Sequence, residues 1–369
     1  MAERWLRRIP AIIIGLCFAG ILHAEGLRIA TYDPDLTRRG PGLLLRDIER
    51  GDAQSAAVAR VIAAARPDIL LLTGIDFDHE LRALNALADR LAGEGADYPY
   101  RFALRPNSGM ATGLDMDGDG RRGDARDAQG YGRFAGHGGM AVLSKLPILA
   151  DRVQDFSAFL WRDLPGADMP VVDGAPFPTE AAVAVQRLSS VAHWRVPVGL
   201  PDGTVLSLLA YSATPPVFDG PEDRNGRRNH DETAFWLRYL AGDLAARGPG
   251  HAPPEGPVVV LGKANIDPAG GEGRRAALSA LLAHPRLTDP VPTGADGRAV
   301  TVDWPGDTAA DAAEGRTGPG DLRVSYVLPD RALRVTGAGV FWPAPGQPLA
   351  DVVAAASQHR LVWVDVALP

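Results

Sequence analysis

Val258-Val-Val-Leu-Gly-Lys-Ala-Asn-Ile-Asp-Pro268 is the stretch of sequence that decides the fold. Its first four residues are apolar and three of them are β-branched, which predicts a buried strand. Gly262 and Pro268 end this strand, so Lys263 and Asn265 lie at its carboxyl end. Because open α/β sheets bind ligands beyond the carboxyl ends of their strands, we expect this stretch to contribute to a functional site.

Strand and helix patterns alternate on both sides of this stretch. Asp52 is the predicted N-cap of a helix that Arg66-Pro67 ends, and a second run of leucines at helical spacing follows. Further strands are predicted at residues 27–32, 68–72, 140–144, 186–194, 204–211, 322–328 and 361–366. A strand, helix, strand, helix opening favours mixed α/β layers.

The composition excludes several classes of protein. The chain has 369 residues, of which 46% are hydrophobic, and this is enough for a large buried core. Its formal net charge is -7, so it lacks the excess of basic residues that nonspecific nucleic-acid binding requires. The 42 glycines and 31 prolines predict long irregular loops between the regular elements.

Residues 1–24 have the pattern of a secretory signal peptide. Three arginines precede an apolar run, and Leu22-His23-Ala24 offers a cleavage site. The alternative is an uncleaved anchor, but the run is shorter than the roughly 20 residues that span a bilayer. We therefore expect a secreted or periplasmic domain at residues 26–369, with no transmembrane segment. The single cysteine, Cys17, lies within the signal, so no disulfide is expected afterwards.

The most specific local motif is an acidic loop that resembles half of a calcium-binding loop. Its alternating carboxylates belong to Asp115, Asp117 and Asp119. Calcium prefers such oxygen ligands, with a glycine for the sharp turn. Arg126 stands where an EF-hand has its bidentate glutamate, so Asp124 or Asp127 would have to complete the ligand set. The alternative is a solvated acidic turn that neighbouring arginines neutralise. We predict a calcium ion that orders this loop.

A second polar segment, residues 215–232, precedes a predicted helix. Asn229 can cap that helix, with Glu232 as its capping-box partner. The cationic side chains of the segment predict a phosphate or substrate clamp, formed by Arg224, Arg227, Arg228 and His230. The alternative is a rigid loop that arginine-carboxylate pairs hold together.

Seven segments resemble, in order, the signature segments of the endonuclease/exonuclease/phosphatase superfamily. They are residues 31–33, 67–74, 140–144, 208–212, 260–265, 322–328 and 357–359. The resemblance covers nearly all of the chain after the signal. Within the superfamily, the chain resembles a secreted bacterial branch. It implies an α/β fold, a four-layer α/β/β/α sandwich of two mixed sheets covered by helices. It also implies one divalent-metal phosphoesterase site where loops from both sheets meet.

The resemblance further implies that most reactive side chains are replaced. Asn265 and His359 match the family pattern. The six positions that depart from it are Asp33 for asparagine, Gly74 for the metal-binding glutamate, Ser212 for histidine, Lys263 and Ser325 for aspartates, and Gln358 for an acid. An ammonium about 4 Å from a dication costs roughly 8 kcal/mol at an effective dielectric of ~20. We therefore expect magnesium or manganese to bind this cleft weakly or not at all.

The sequence leaves three functions open. The first is a family member whose hydrolase site is lost or severely weakened, and in which Lys263, with Asn265 and His359, binds a phosphate-bearing or other anionic ligand. The second is an active metal-dependent phosphodiesterase or phosphatase with a rearranged site that uses Asp33, Asp76, Asn265 and His359. The third is an extracytoplasmic interaction protein that calcium orders.

Overall fold

The computed structural model describes residues 26–305, 318 and 320–367, and the predicted signal peptide at residues 1–24 lies outside this part. The strands are β1 (Gly26–Tyr32), β2 (Ile69–Ile75), β3 (Tyr100–Phe102), β4 (Gly139–Ser144), β5 (Gln154–Asp155), β6 (Val171–Val172), β7 (Ala175–Pro176), β8 (His193–Gly199), β9 (Val205–Ser212), β10 (Val258–Lys263), β11 (Ser325–Pro329), β12 (Val335–Phe341) and β13 (Leu361–Ala367). The helices are α1 (Leu43–Glu49), α2 (Ala53–Ala65), α3 (Arg82–Gly93), α4 (Glu180–Val185), α5 (Arg224–Ala241), α6 (Ala276–Leu282) and α7 (Ala350–Ala356).

Two large sheets form the centre of the protein. The first has the strand order β12-β13-β1-β2-β4-β3, and the second has the order β11-β10-β9-β8-β5. β1 runs parallel to β2, and β9 runs parallel to β10, whereas the other neighbours in both sheets are antiparallel. Both sheets are therefore mixed. β6 and β7 form a separate two-stranded hairpin.

Alternate side chains of each strand pack on opposite faces of its sheet. Ile29 of β1, Leu71 of β2 and Leu261 of β10 lie in an apolar core between the two sheets. A second core covers the other face of the first sheet with α1, α2, α3 and α7, and a third covers the second sheet with α5 and α6. The predicted four-layer α/β/β/α sandwich is confirmed.

The local signals of the sequence account for some boundaries and fail at others. Asp52 caps α2 as predicted, since its side chain accepts hydrogen bonds from the backbone N–H groups of Gln54 and Ser55. The strand predicted at residues 186–194 is wrong, because β8 begins only at His193. No helix in the described part of the chain combines the length and the apolar character that crossing a membrane requires.

The predicted start of α5 is also wrong. The helix begins at Arg224, so Asn229 and Glu232 lie inside it and form no capping box. The Asn229 amide instead donates to the carbonyls of Thr214 and Ala264, both at 2.7 Å. The Glu232 carboxylate accepts from the backbone N–H groups of Ser190 and Thr214. These polar side chains bind backbone groups in the loops next to β8, β9 and β10. The local sequence pattern gives no sign of these long-range contacts.

Candidate functional site at the strand ends

Three polar side chains lie in one row at the end of the second sheet. In the strand register Lys263 of β10 pairs with Ser212 of β9 on one side and with Ser325 of β11 on the other. Leu261, two residues earlier, packs in the core between the sheets, so Lys263 points to the same side. The ends of three neighbouring strands therefore turn an ammonium and two hydroxyl groups toward the space between the sheets.

Asp33 reaches the same space from the first sheet. It follows β1 directly, and its carboxylate accepts a hydrogen bond from the Lys263 ammonium. The side chain of Asp33 is 3% exposed and that of Lys263 is 17% exposed. The contact is therefore a largely buried ion pair that joins the two sheets.

A glycine leaves room for the Asp33 carboxylate. Gly74 lies at a register shift near the end of β2 and has a φ of 61°. A Cβ atom at position 74 would lie 2.8 Å from Cγ of Asp33 and still closer to its Oδ1. Any side chain here would overlap Asp33 in its present orientation. The residue that the family pattern leads one to expect at position 74, a glutamate, is therefore excluded while Asp33 contacts Lys263.

His359 completes the group. Its Nε2 lies 4.0 Å from Oδ2 of Asp33, and its Nδ1 is buried without a hydrogen-bond partner among the described residues. The Ser357 hydroxyl donates to the Asp33 carbonyl at 2.8 Å and accepts from the His359 backbone N–H at 3.0 Å. The Trp304 ring packs edge-on against the imidazole, with centroids 5.7 Å apart. These contacts fix His359 beside the ion pair.

The charges in this group offset one another near neutral pH. Burial favours a higher pKa for Asp33, but the charges of Lys263 and His359 and the hydrogen bond from Lys263 outweigh it and lower the pKa. Burial lowers the pKa of His359 to about 4, against the attraction of Asp33. The imidazole is therefore neutral at pH 7, and the negative charge of Asp33 faces the positive charge of Lys263.

Asn265 and Asp76 have backbone partners. Asn265 has a φ of 54°, and its amide donates to the Ala213 carbonyl at 2.6 Å, which fastens the loop after β10 to the loop after β9. The two oxygens of Asp76 accept from the backbone N–H groups of Arg38 at 2.8 Å and Gly138 at 3.0 Å. Burial raises the pKa of Asp76 to about 6. In this arrangement Asp76 orders two loops near the cleft.

The predicted anion clamp lies on α5, where its cationic groups already have partners. The buried Arg228 guanidinium donates to the carbonyls of Leu188 at 2.9 Å and Gln129 at 2.5 Å, among others. Arg227 pairs with Asp168, and the ring of His230 bonds its neighbour Asp231 at 2.9 Å. Arg224 donates to the Met116 carbonyl and so ties α5 to the acidic loop. The residues lie on a helix and not in the rigid loop of the alternative, and of the three arginines only Arg227 pairs with a carboxylate among the described residues. The anion clamp stays a prediction.

The acidic loop brings together two of its three predicted ligands. Oxygens of Asp115, Asp117 and Asp127 all lie within 4.8 Å of one another, whereas Asp119 is outside this group. Asp127 is one of the two residues considered for completing the ligand set. Backbone N–H groups also bind these carboxylates, for example Met116 N–H at 2.8 Å from Oδ1 of Asp127.

The sequence analysis named Asp33, Lys263 and His359 as candidate residues. It did not predict the ion pair between Asp33 and Lys263. It treated Lys263 as an ammonium without a partner, although Asp33 was a candidate in its own right. The simultaneous presence of aspartate at position 33, glycine at position 74 and lysine at position 263 was the available signal. Trp304 was missed because it carries no motif of its own, and Ser357 was quoted only as part of the segment at residues 357–359, without a role.

Comparisons with known proteins agree with this fold. The model of the Endonuclease/Exonuclease/phosphatase family matches residues 38–359. A solved endonuclease/exonuclease/phosphatase from Beutenbergia cavernae is 17% identical, with a TM-score of 0.55, and the match covers 93% of this chain and 72% of that one. A family protein from Leptotrichia buccalis is 15% identical, with a TM-score of 0.51 and coverage of 93% and 100%. No curated protein matches. Because the family model spans most of the sequence, the chain belongs to the endonuclease/exonuclease/phosphatase family.

Proposed function

We propose that this chain is a family member that has lost metal-dependent phosphoester hydrolysis and retains a cleft for a phosphate-bearing ligand. The observation that carries the proposal is the buried ion pair of Asp33 and Lys263. By the family pattern, the neighbourhood of this pair is where an acidic side chain would bind the divalent cation. In this chain the ammonium of Lys263 offsets the charge of the Asp33 carboxylate.

The side chains around Asp33 do not suit magnesium or manganese. Magnesium requires near-octahedral oxygen ligands at about 2.0 to 2.1 Å. Asp33 is already bonded to Lys263, and a dication there would be repelled by the ammonium by several kcal/mol. The oxygens of Asp76, the second carboxylate of the alternative rearranged site, are bonded to backbone N–H groups. This arrangement favours a family member without hydrolase activity over an active phosphoesterase with a rearranged site.

Ligand binding is supported by the donors that remain in the cleft. An ammonium has three N–H donors, and Lys263 has one acceptor, Asp33, among the described residues. Ser212 and Ser325 flank it in the strand register, and both are buried at the strand ends. A phosphate oxygen would bind between these groups. Since Asp33 offsets the charge of Lys263, we expect modest affinity and no general attraction for polyanions.

The first prediction concerns turnover. With magnesium or manganese added, the protein is expected to hydrolyse p-nitrophenyl phosphate, bis-p-nitrophenyl phosphate and nucleic acid no faster than its His359→Ala variant does. The reason is that several roles of a metal-dependent hydrolase fail together, and one lost general base alone typically costs about 100- to 10,000-fold. Release of p-nitrophenol measures the rate with the two nitrophenyl esters, and gel electrophoresis measures cleavage of the nucleic acid. Turnover that depends on metal and disappears in His359→Ala would establish the active alternative.

A second proposal concerns the acidic loop, because Asp115, Asp117 and Asp127 lie close enough to share a cation. Calcium is expected to protect residues 107–135 from limited proteolysis, since it would neutralise the clustered carboxylates and order the loop. Asp117→Asn should lose this protection, and Asp202→Asn, on a distant turn, should keep it. Equal cleavage in calcium and in chelator would contradict the proposal. Calcium-dependent ordering would accord with a secreted or periplasmic location, which stays a prediction.

A further inference from the structure

A short segment of chain crosses from one sheet to the other beside the ion pair. It consists of residues 301–305, which lie between α6 and β11 in the sequence, and is called the strap below. Val302 is fully buried and forms isolated bridges with Leu322, which precedes β11, and with His359, which precedes β13. The strap therefore joins the second sheet to the first at the edge where the ion pair lies.

The inner part of the strap is held by backbone groups of both sheets. The Thr301 hydroxyl oxygen accepts hydrogen bonds from the backbone N–H groups of Val324 at 2.8 Å and Ser325 at 3.1 Å. The Thr301 carbonyl accepts from the Arg360 backbone N–H at 2.9 Å. Because Ser325 pairs with Lys263 in the strand register, this part of the strap is tied to the row of strand-end side chains.

The outer part of the strap is held by an ion pair that solvent reaches. The Asp303 carboxylate accepts from Nη2 of Arg360 at 2.8 Å, and the Asp303 side chain is 54% exposed. The Asp303 backbone N–H donates to the Gln358 carbonyl at 2.9 Å. The Arg360 side chain is only 2% exposed, and its guanidinium lies 4.4 Å from the centroid of the Trp342 ring. Arg360 is therefore the fixed partner, and Asp303 is the partner that can separate, since an ion pair with an exposed carboxylate contributes little stability.

The residue after Asp303 covers the histidine of the candidate site. The Trp304 ring packs edge-on against the His359 ring, with centroids 5.7 Å apart. Trp304 is half-buried, whereas the His359 side chain is 8% exposed. Nδ1 of His359 is buried without a hydrogen-bond partner among the described residues. The indole ring therefore lies over an imidazole whose exposure depends on packing.

We infer that the strap is an autoinhibitory contact, in which the ion pair of Asp303 holds Trp304 over His359 and closes the cleft to solvent and ligand. Breaking this ion pair frees the outer part of the strap, while the inner part stays bonded to both sheets. The burial of the strand-end side chains belongs to the closed state, and a phosphate-bearing ligand binds the open state. That last step rests on the proposed function, whereas the cover over His359 does not.

The experiment measures how fast diethyl pyrocarbonate modifies individual histidines, with peptide mass spectrometry as the readout. This reagent acylates a neutral imidazole that it can reach. In the wild type, the exposed His79 should react about tenfold or more faster than His359, since an open state populated at ~10% or less limits the reaction. Trp304→Ala removes the covering ring and should raise the rate at His359 about tenfold. Trp304→Phe keeps a ring there and should stay slow.

A second variant tests the ion pair of the strap. Asp303→Asn removes the charge and keeps the size of the side chain, so it should raise the rate at His359 about two- to fivefold. Asp243→Asn is the matched control, because Asp243 pairs with Arg238 at 3.4 Å and is 41% exposed but follows α5. It should leave the rate unchanged. His193, which is 1% exposed, reports on unfolding, and if it reacts in Trp304→Ala then Asp303→Asn decides the question.

The outcomes separate this inference from the proposed function. If His359 reacts equally slowly in the wild type, Trp304→Ala and Asp303→Asn, the strap does not control access and the inference is wrong. Binding of inorganic phosphate to the wild type, measured by calorimetric titration, would then still support the proposed cleft. If the variants uncover His359, Trp304→Ala should also bind inorganic phosphate more tightly than the wild type does. Uncovered His359 without any phosphate binding would leave the strap standing and refute the proposed function.

Discussion

Replacing Lys263 with methionine is expected to destabilise the protein by about 3 to 5 kcal/mol, since it leaves the buried Asp33 carboxylate without its partner. Methionine preserves most of the apolar volume of the lysine stem, so the loss reports on the charge. Asp33 is 3% exposed, and Gly74 lies directly against its carboxylate. Urea unfolding followed by circular dichroism measures the change.

The chain supplies a matched control for this substitution. Lys145 pairs with Asp68 at 3.0 Å, but its side chain is 38% exposed, so Lys145→Met should cost only about 0 to 1 kcal/mol. The double variant Lys263→Met/Asp33→Asn removes both charges and should regain most of the stability that Lys263→Met loses. If Lys263→Met costs no more than Lys145→Met, then the pair does not hold the two sheets together as described.

Asp33 of this ion pair and its neighbour His359 both contribute to the pH dependence of stability. The pKa of Asp33 is lowered from the ordinary value of 3.8, so its contribution to stability is fully present above about pH 4 and is lost as pH falls below that. The pKa of His359 is lowered to about 4, so burying its neutral ring adds a loss of stability as pH falls from about 6.5 toward 4. Acid should therefore weaken the contributions of Asp33 and His359 to stability, whereas the raised pKa of Asp76, about 6, acts in the opposite direction as pH falls from about 6 toward 3.8.

The layers of the fold were predictable because the apolar strand runs are long and β-branched. Residues 258–261 are read as a buried strand from their composition alone, and β10 occupies that place. β12 was missed because glycines at positions 337 and 339 interrupt its pattern. The reason for these glycines lies on the neighbouring strand, where the Trp363 ring would lie 2.7 Å from a Cβ atom at position 339. Because this crowding comes from a side chain on another strand, the sequence around β12 gives no sign of it.

The residues of the candidate site could be named from the sequence, but the contacts between them could not. Strand ends identified Lys263, and the order of the segments identified His359. The partner of Lys263, however, lies 230 residues away in the sequence, and only the packing of one sheet on the other brings Asp33 beside it. The buried contacts of Arg228 were hidden for the same reason, since its acceptors belong to loops more than thirty residues distant. Side-chain type gives the chemistry, but pairing across layers decides whether a charge is available.

Replacing Gly74 with alanine is expected to destabilise the protein by about 2 to 5 kcal/mol. The left-handed backbone at a φ of 61° costs about 1 to 2 kcal/mol for a residue with a Cβ atom. The added methyl group also overlaps the Asp33 carboxylate, and an overpacked site typically costs about 1 to 3 kcal/mol more. Chemical denaturation of purified protein measures the total. The part of the destabilisation that exceeds the backbone cost measures the overlap of the added methyl group with the Asp33 carboxylate.

Two further variants isolate that excess. Gly95 has a φ of 83° and nothing within 4 Å of its Cβ position, so Gly95→Ala should show the backbone cost alone. In an Asp33→Ala/Lys263→Met background the carboxylate and its partner are both absent, and Gly74→Ala should then cost no more than Gly95→Ala does. Equal costs for the two glycines in the wild-type background would mean that Asp33 does not occupy the space beside Gly74. The contact with Lys263 would then not fix the carboxylate in that place, and our proposal that an ion pair stands where a metal would bind would lose its structural basis.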